Sequence, residues 1–435
     1  MLSAGFARLD ITPPFGVFMQ GYYSERRASG IRDPLYVNAV AFSDGERSAV
    51  ALVFDIIGIN QAECAICRET VVKRTGLPPE AVFMACTHTH TGPAVYDGLY
   101  PKDPLYNEML FRKVADAVAL AIADLKPASV GIARNTLKDI AFIRRFRMKD
   151  GTTRTNPGRR NPNIAGPIGT PDESVQLVRI TRENAPDILL VNFQVHPDVI
   201  GGNHFSADFP GFVRTSLERT LDNVHCVYFN GAQGDTNHIN VNAPEWDKNS
   251  GYEHSKHMGR SIAGAVLQVY GKTEAVPGDK VVFAQRMIKV PSSRVGAELV
   301  REAEKIIALH EAGRDAEIPE TGMGVTTVVA EAYTRKRLEH GPDELPLHLC
   351  ALAFGDVAIT GAPGEPFTEI GRSVKAASPF AMTLYCCCAN GSEGYYPMRT
   401  AYDEGGYEAR SSKYGAGVAE VIIEQGSALL RELKK

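Results

Sequence analysis

The feature that most constrains this chain is one pattern used three times: an apolar run, a break, a helical stretch and a second apolar run. It appears as AVALVFD (49–55), a helix-like stretch over 60–75 and AVFMACT (81–87). It recurs as DILLVNFQV (187–195), FPGFVRTSLERTL (209–221) and HCVYFN (225–230). A third copy is DVAITGAP (356–363), PFTEIGRSVKAA (366–377) and AMTLYCCCA (381–389). Strands buried on both faces read as continuous apolar runs, and strands alternating with helices build crossover units. The pattern predicts an α/β fold of mixed, largely parallel sheets covered by helices. With 435 residues, 44% of them apolar and 23% charged, the chain can fill one continuous body spanning 1–435.

Polar residues fall where these strands end. Asp55 closes the first, His88 and His90 follow the second, and His196 follows the third. Gly231–Asn237, Glu365 and the 390–396 segment follow the others. Ligands of open α/β sheets bind outside the carboxyl ends of the strands, so the site is expected there. Residues 141–170, basic and rich in Gly, Pro and Asn, read as a strand running into a long loop that could serve as a lid. The 276–345 segment reads as peripheral, helical over 295–313 and extended over 322–340.

Composition excludes several partners. Fifty-one acidic residues against 47 basic ones give a net charge of −4, which sets up no field for nucleic acid or an anionic membrane. No apolar run approaches the ~20 residues that span a bilayer, and the first residues lack a secretory pattern. A cytoplasmic protein with a small-molecule substrate is the expectation. Among eight cysteines, Cys386, Cys387 and Cys388 are consecutive, which suits buried, reduced thiols. Cys64-Ala65-Ile66-Cys67 matches a redox or half-zinc pattern, but with no second CxxC and a place within the helical stretch it reads as two core thiols. The seven basic residues from Arg144 to Arg160 read as a solvated loop beside an anionic pocket.

Thr87-His88-Thr89-His90-Thr91-Gly92-Pro93 is the sharpest motif. Alternate residues of an extended segment point the same way, so two imidazoles converge, and neutral imidazole is the commonest metal ligand. Two hydrogen-bonded histidines at a strand end are the bland alternative. His196 in Asn-Phe-Gln-Val-His-Pro could equally be a satisfied core histidine, and Glu365 in Pro-Gly-Glu a carboxylate favoured by a helix dipole. Tyr395 and Tyr396 could simply be packing residues.

The ordered set ITPP, HTHTGP, NFxxHP, SADxPG, Gly-Asp, Pro-Gly-Glu and the C-terminal tyrosine motif, running from Gly5 to about Tyr414, resembles the catalytic domain of the neutral (non-lysosomal) ceramidase family. The resemblance implies one zinc held by His88, His196, Glu365 and Tyr395. It places His90 beside the scissile carbonyl, Arg144 on the substrate side and Tyr407 near the amide. Arg145 is adjacent to Arg144, and a one-residue slip would turn the other side chain inward. A zinc ion so held lowers the pKa of water to about 7, which implies amide hydrolysis without a covalent intermediate.

Two departures from the family shape the expectation. Gly234-Asp235-Thr236-Asn237 carries no serine, which removes a serine nucleophile there. Asp235 is expected either to brace a ligand histidine or to be a turn residue, with Asp55 and Asp208 similar candidates. The chain also ends soon after the tyrosine motif, without the family's C-terminal β-sandwich, so a small soluble N-acyl substrate is as reasonable as a lipid. A zinc esterase or lactonase, or a non-catalytic ligand-binding relative, are the alternative readings.

Overall fold

The computed structural model describes Met1 to Lys435. Each copy of the repeated pattern forms a crossover unit with a parallel pair of strands. Ser48–Phe54 pairs with Val82–Cys86, Asp187–Phe193 with Val224–Asn230, and Val357–Gly361 with Met382–Cys386. The helices between them are Gln61–Thr75, Asp208–Thr220 and Thr368–Ala376. Outside these units parallel pairing is confined to two-residue ladders. The long joining ladders are antiparallel because hairpins such as Tyr36–Ser43 with Ser48–Phe54 and Ser174–Arg182 with Asp187–Phe193 need only short turns.

Two sheets result. The larger runs in space through Val224–Asn230, Asp187–Phe193, Ser174–Arg182, Lys126–Thr136, Ser3–Asp10, Tyr36–Ser43, Ser48–Phe54 and Val82–Cys86. The smaller contains Val281–Pro291, Glu344–Phe354, Val357–Gly361 and Met382–Cys386. Alternation along the strands shows how they stack. Val50, Leu52 and Phe54 pack with Leu110 and Val114 of the helix Pro104–Ala123, whereas Ala49, Ala51 and Val53 share a core with Leu352, Phe354 and Ile359 of the smaller sheet. Each sheet therefore meets helices on one face and the other sheet on its second face, so both faces of each are covered. Val374, Ile422 and Leu429 close the outer face of the smaller sheet.

Two segments differ from expectation. Residues 141–170 are not an open loop: Arg145–Met148, Thr153–Thr155 and Ile164–Pro167 form a small antiparallel sheet. Residues 322–340 are not extended: Met323–Arg337 is a helix packed on the helix Ala297–Glu311. The β-branched run Val325-Thr326-Thr327-Val328-Val329 gives a strand-like signal, but packing overrides so weak a preference. Arg335, Lys336 and Arg337 in the last turn favour the helix dipole. Val281–Pro291, within the segment read as peripheral, is a full strand of the smaller sheet.

No helix is long and apolar enough to cross a membrane. All eight cysteines are free and buried.

Candidate active site

The strand ends meet at one place. After Val82–Cys86 the chain stays tied to its neighbour through Thr87 N–H to Phe54 O (2.8 Å) and His88 N–H to Ile56 O (3.0 Å). His88 then adopts φ 71°, a left-handed turn rather than a strand, and this turn sets the two imidazoles with ring centres 5.1 Å apart. Convergence of His88 and His90 was expected, but from alternation along an extended strand. His196 arrives from the end of Asp187–Phe193, locked by His90 N–H to Pro197 O (3.2 Å). Glu365 and Tyr395 are opposite partners in a short parallel ladder, with Glu365 N–H donating to Gly394 O at 2.9 Å.

These side chains leave ligand atoms facing one another. His88 Nδ1–H donates to the Ile57 carbonyl at 2.6 Å, which fixes the ring and turns Nε2 toward Glu365. His88 Nε2 lies 3.3 Å from Glu365 Oε2, and His196 Nε2 lies 3.8 Å from the same oxygen. His90 Nε2 and His196 Nε2 are 3.0 Å apart. His88 Nε2 and Glu365 Oε2 are buried without hydrogen-bond partners, an expensive arrangement unless a cation completes it. The three histidines form the one group in the molecule with metal-ligand spacing. The donor set of imidazole nitrogens and a carboxylate fits zinc.

Burial would lower the His88 value, but Glu365 and Cys388 outweigh it and hold it well above the usual histidine value, so His88 and Glu365 form a buried charge pair whose place a divalent cation could take. Burial, reinforced by His88, holds His90 well below the usual histidine value. Burial, reinforced by Arg144, does the same for His196, so both rings are neutral. Burial would raise the Glu365 carboxyl, but His88 and Arg144 outweigh it and hold it at about 2. Burial and the Glu365 carboxylate keep the Tyr395 hydroxyl protonated.

Arg144 turns inward and Arg145 away from it. The Arg144 guanidinium lies 3.5 Å from His196 Nδ1 and 5.3 Å from the Tyr395 ring centre, while its Nε meets Glu408 at 2.6 Å. Arg145 bonds Glu404 and the Gly405 carbonyl and covers Phe367. Arg144 sits behind His196 and Tyr395, off the cavity wall. Tyr407 does reach the wall, 5.5 Å from Tyr395.

The acidic candidates brace backbone. Asp235 accepts from Thr368 N–H (2.8 Å) and Oγ1–H (2.7 Å) and contacts no histidine. Its carbonyl instead holds the Arg144 N–H at 2.9 Å. Asp55 is spent on a buried two-bond pair with Arg214. Asp208 binds the Val199 and Ile200 amides just after His196.

Sequence reasoning missed Tyr22 and Asp198. The Tyr22 hydroxyl donates to Asp198, whose Oδ1 is 3.8 Å from His90 Nδ1, and the Tyr22 ring meets His90 edge-on at 5.4 Å. The i, i+2 spacing of His196 and Asp198 was the available signal. His88, His90, Glu365, Tyr395 and Tyr407 border a cavity of about 1180 Å³.

No protein-family model and no curated protein sequence matches the chain. Among solved structures it superposes on neutral ceramidase from Pseudomonas aeruginosa with a TM-score of 0.75, at 19% identity over 99% of this chain and 75% of that one. The fold is that of neutral ceramidase. A structure described as ceramidase complexed with C2 matches with a TM-score of 0.71, at the same identity and coverage. The neutral ceramidase fold explains why the histidines converge here, since its crossover units deliver all these strand ends to one side.

Proposed function

We propose that the chain is a zinc-dependent hydrolase that cleaves a linear amide in an N-acyl compound. The observation carrying this reading is the meeting of His88 Nε2, His196 Nε2 and Glu365 Oε2, with His88 and Glu365 bordering a cavity, in a ceramidase fold. His88, His196 and Glu365, with Tyr395 beside them, would hold the metal. Zinc in such a shell supplies Lewis acidity toward a carbonyl and acidifies water.

The protein's own groups then have distinct tasks. His90, neutral and facing the cavity, takes up or delivers a proton at the reacting amide. Asp198 lies on its Nδ1 side at 3.8 Å, and the His90 Nε2 faces the ligand cluster, 3.0 Å from His196 Nε2. Tyr407 offers a hydroxyl to the leaving group or the developing oxyanion. Arg144, fixed by Glu408 and the Gly234 carbonyl (2.7 Å), holds Tyr395 and His196 in place.

Metal analysis of the purified protein is expected to find about one zinc per chain, lost in His88→Ala. His90→Ala is expected to keep its zinc while kcat for amides falls by roughly 10²–10⁴. Loss of zinc in His90→Ala would move His90 into the ligand set. Full metal content in His88→Ala would overturn the assignment.

A further inference from the structure

Arg26 is a buried cation that meets no anion. It is 8% exposed, and no carboxylate oxygen lies within 4.0 Å of its nitrogens. Burying a charge is costly unless other groups compensate it. Carbonyl dipoles and an aromatic face do so here. Arg26 Nη2–H donates to His90 O and to Gln20 O, both at 2.9 Å, Nη1–H donates to Gly202 O at 3.1 Å, and the guanidinium lies 4.0 Å from the Tyr22 ring centre. The rigid fork of a guanidinium suits three carbonyls better than the point charge of an ammonium.

These contacts close one segment over His90. Phe18 is bridged to Arg27 and Met19 to Pro93, and Ala94 N–H donates to Phe18 O at 2.8 Å, so residues 18–27 turn back on themselves beside the chain just after His90. Gly21, at φ 117°, backs onto the imidazole: a Cβ there would sit 2.7 Å from His90 Nδ1. His90 is therefore gripped at its carbonyl by Arg26, at its N–H by Pro197 O, and at its ring by Gly21 and Tyr22. Its Nδ1 has no hydrogen-bond partner, so the aim of Nε2 depends on those grips. Gln20, Gly21 and Tyr22 line the cavity and Arg26 does not, which keeps its guanidinium off the substrate.

We infer that Arg26 is a positioning residue: by clamping the His90 carbonyl to the 18–27 turn it aims His90 Nε2 at the reacting amide. The inference rests on the amide-hydrolase reading for the task of His90 and goes beyond it in naming what sets that ring's aim. Such control needs no contact with substrate, since a shift of about 1 Å in a catalytic group can cost on the order of a hundredfold in rate.

The test uses zinc-loaded enzyme with N-butanoyl-phenylalanine, following release of butanoate. Arg26→Gln should lower kcat by about tenfold to a hundredfold while KM stays within about twofold and zinc content is unchanged. Arg26→Lys, which keeps the charge without the fork, should fall between the two. Adding Arg26→Gln to His90→Ala should cost nothing further, because Arg26 acts through a ring that is already gone. Full kcat in Arg26→Gln, an equal loss with and without His90, or loss of zinc along with kcat would overturn the inference and leave the amidase reading standing. If Arg26→Gln does not fold, Arg26→Lys is read against the same outcomes. Absence of cleavage by the wild type would count against the amidase reading instead. A crystal structure of zinc-loaded Arg26→Gln then still decides the role of Arg26: a His90 ring displaced by about 1 Å or more supports it, and an unmoved ring rejects it.

Discussion

Asp208 shows how the loop behind His196 is held, and what that costs. It is fully buried at φ 54°, and it accepts from Val199 N–H (3.0 Å), Ile200 N–H (3.1 Å), Phe209 N–H (2.6 Å) and Ser255 Oγ–H (2.6 Å). Burial pushes its carboxyl up to about 6 in spite of these donors. A carboxyl raised by folding contributes stability below its unfolded value, near pH 4, and loses it as pH rises through 6. The change amounts to roughly 3 kcal/mol. Asp208→Asn removes this titration, so wild type should lose about that much stability relative to the variant between pH 4 and pH 7. Denaturant midpoints across that range check this, and parallel curves would refute it.

Gly234 is a second single-residue constraint. A Cβ there would sit 2.5 Å from the Glu365 carbonyl oxygen and 2.9 Å from that of Pro366. Gly234→Ala must shift the strand that carries Glu365, and should lower zinc content and amidase activity together. Retention of both would show that the Glu365 ladder tolerates displacement. At this scale the sequence made His88, His90, His196 and Glu365 legible, because each follows an apolar run. Asp198 had a local signal in its i, i+2 spacing from His196, whereas Tyr22 was hidden because its meeting with Asp198 depends on how two distant loops fold over each other.

At the scale of elements, the three crossover units could be read almost to their ends, since continuous apolar runs and helical stretches agree with the final packing. Asn60 adds a cap, its Oδ1 accepting from Glu63 N–H at 2.9 Å before the first crossover helix. The helix Met323–Arg337 was misread because its own preferences favour a strand and its stability comes from neighbours. Glu331 joins Arg335 within the helix to Arg410 of the Tyr407–Ser411 helix. Glu331→Gln should therefore cost about 1 kcal/mol, as a partly exposed charge network does. Hydrogen exchange should quicken over 323–337 while the crossover helices keep their protection. Uniform protection would mean that the helix does not depend on this anchor.

For the whole molecule, the decisive contact is the one the repeated pattern could not reveal, the stacking of two sheets. Alternating residues of Ser48–Phe54 serve both a helix-facing core and a sheet-facing core, and a continuous apolar run does not say which partner covers which face. Phe42 of the larger sheet lies on Phe354 of the smaller, ring centres 3.9 Å apart and planes within 10°. Both are fully buried. Because Val357–Gly361, the strand leading to Glu365, continues directly from the turn after Phe354, this contact also sets the register between the half of the site carrying His88 and the half carrying Glu365. Phe42→Ala and Phe354→Ala should each cost about 3–5 kcal/mol. The double variant should depart from additivity by about 0.5–1.5 kcal/mol, measured by denaturant unfolding. Either single variant should also lower zinc affinity, although neither touches a ligand. Strict additivity with unchanged zinc binding would mean that the sheets hold their halves of the site independently.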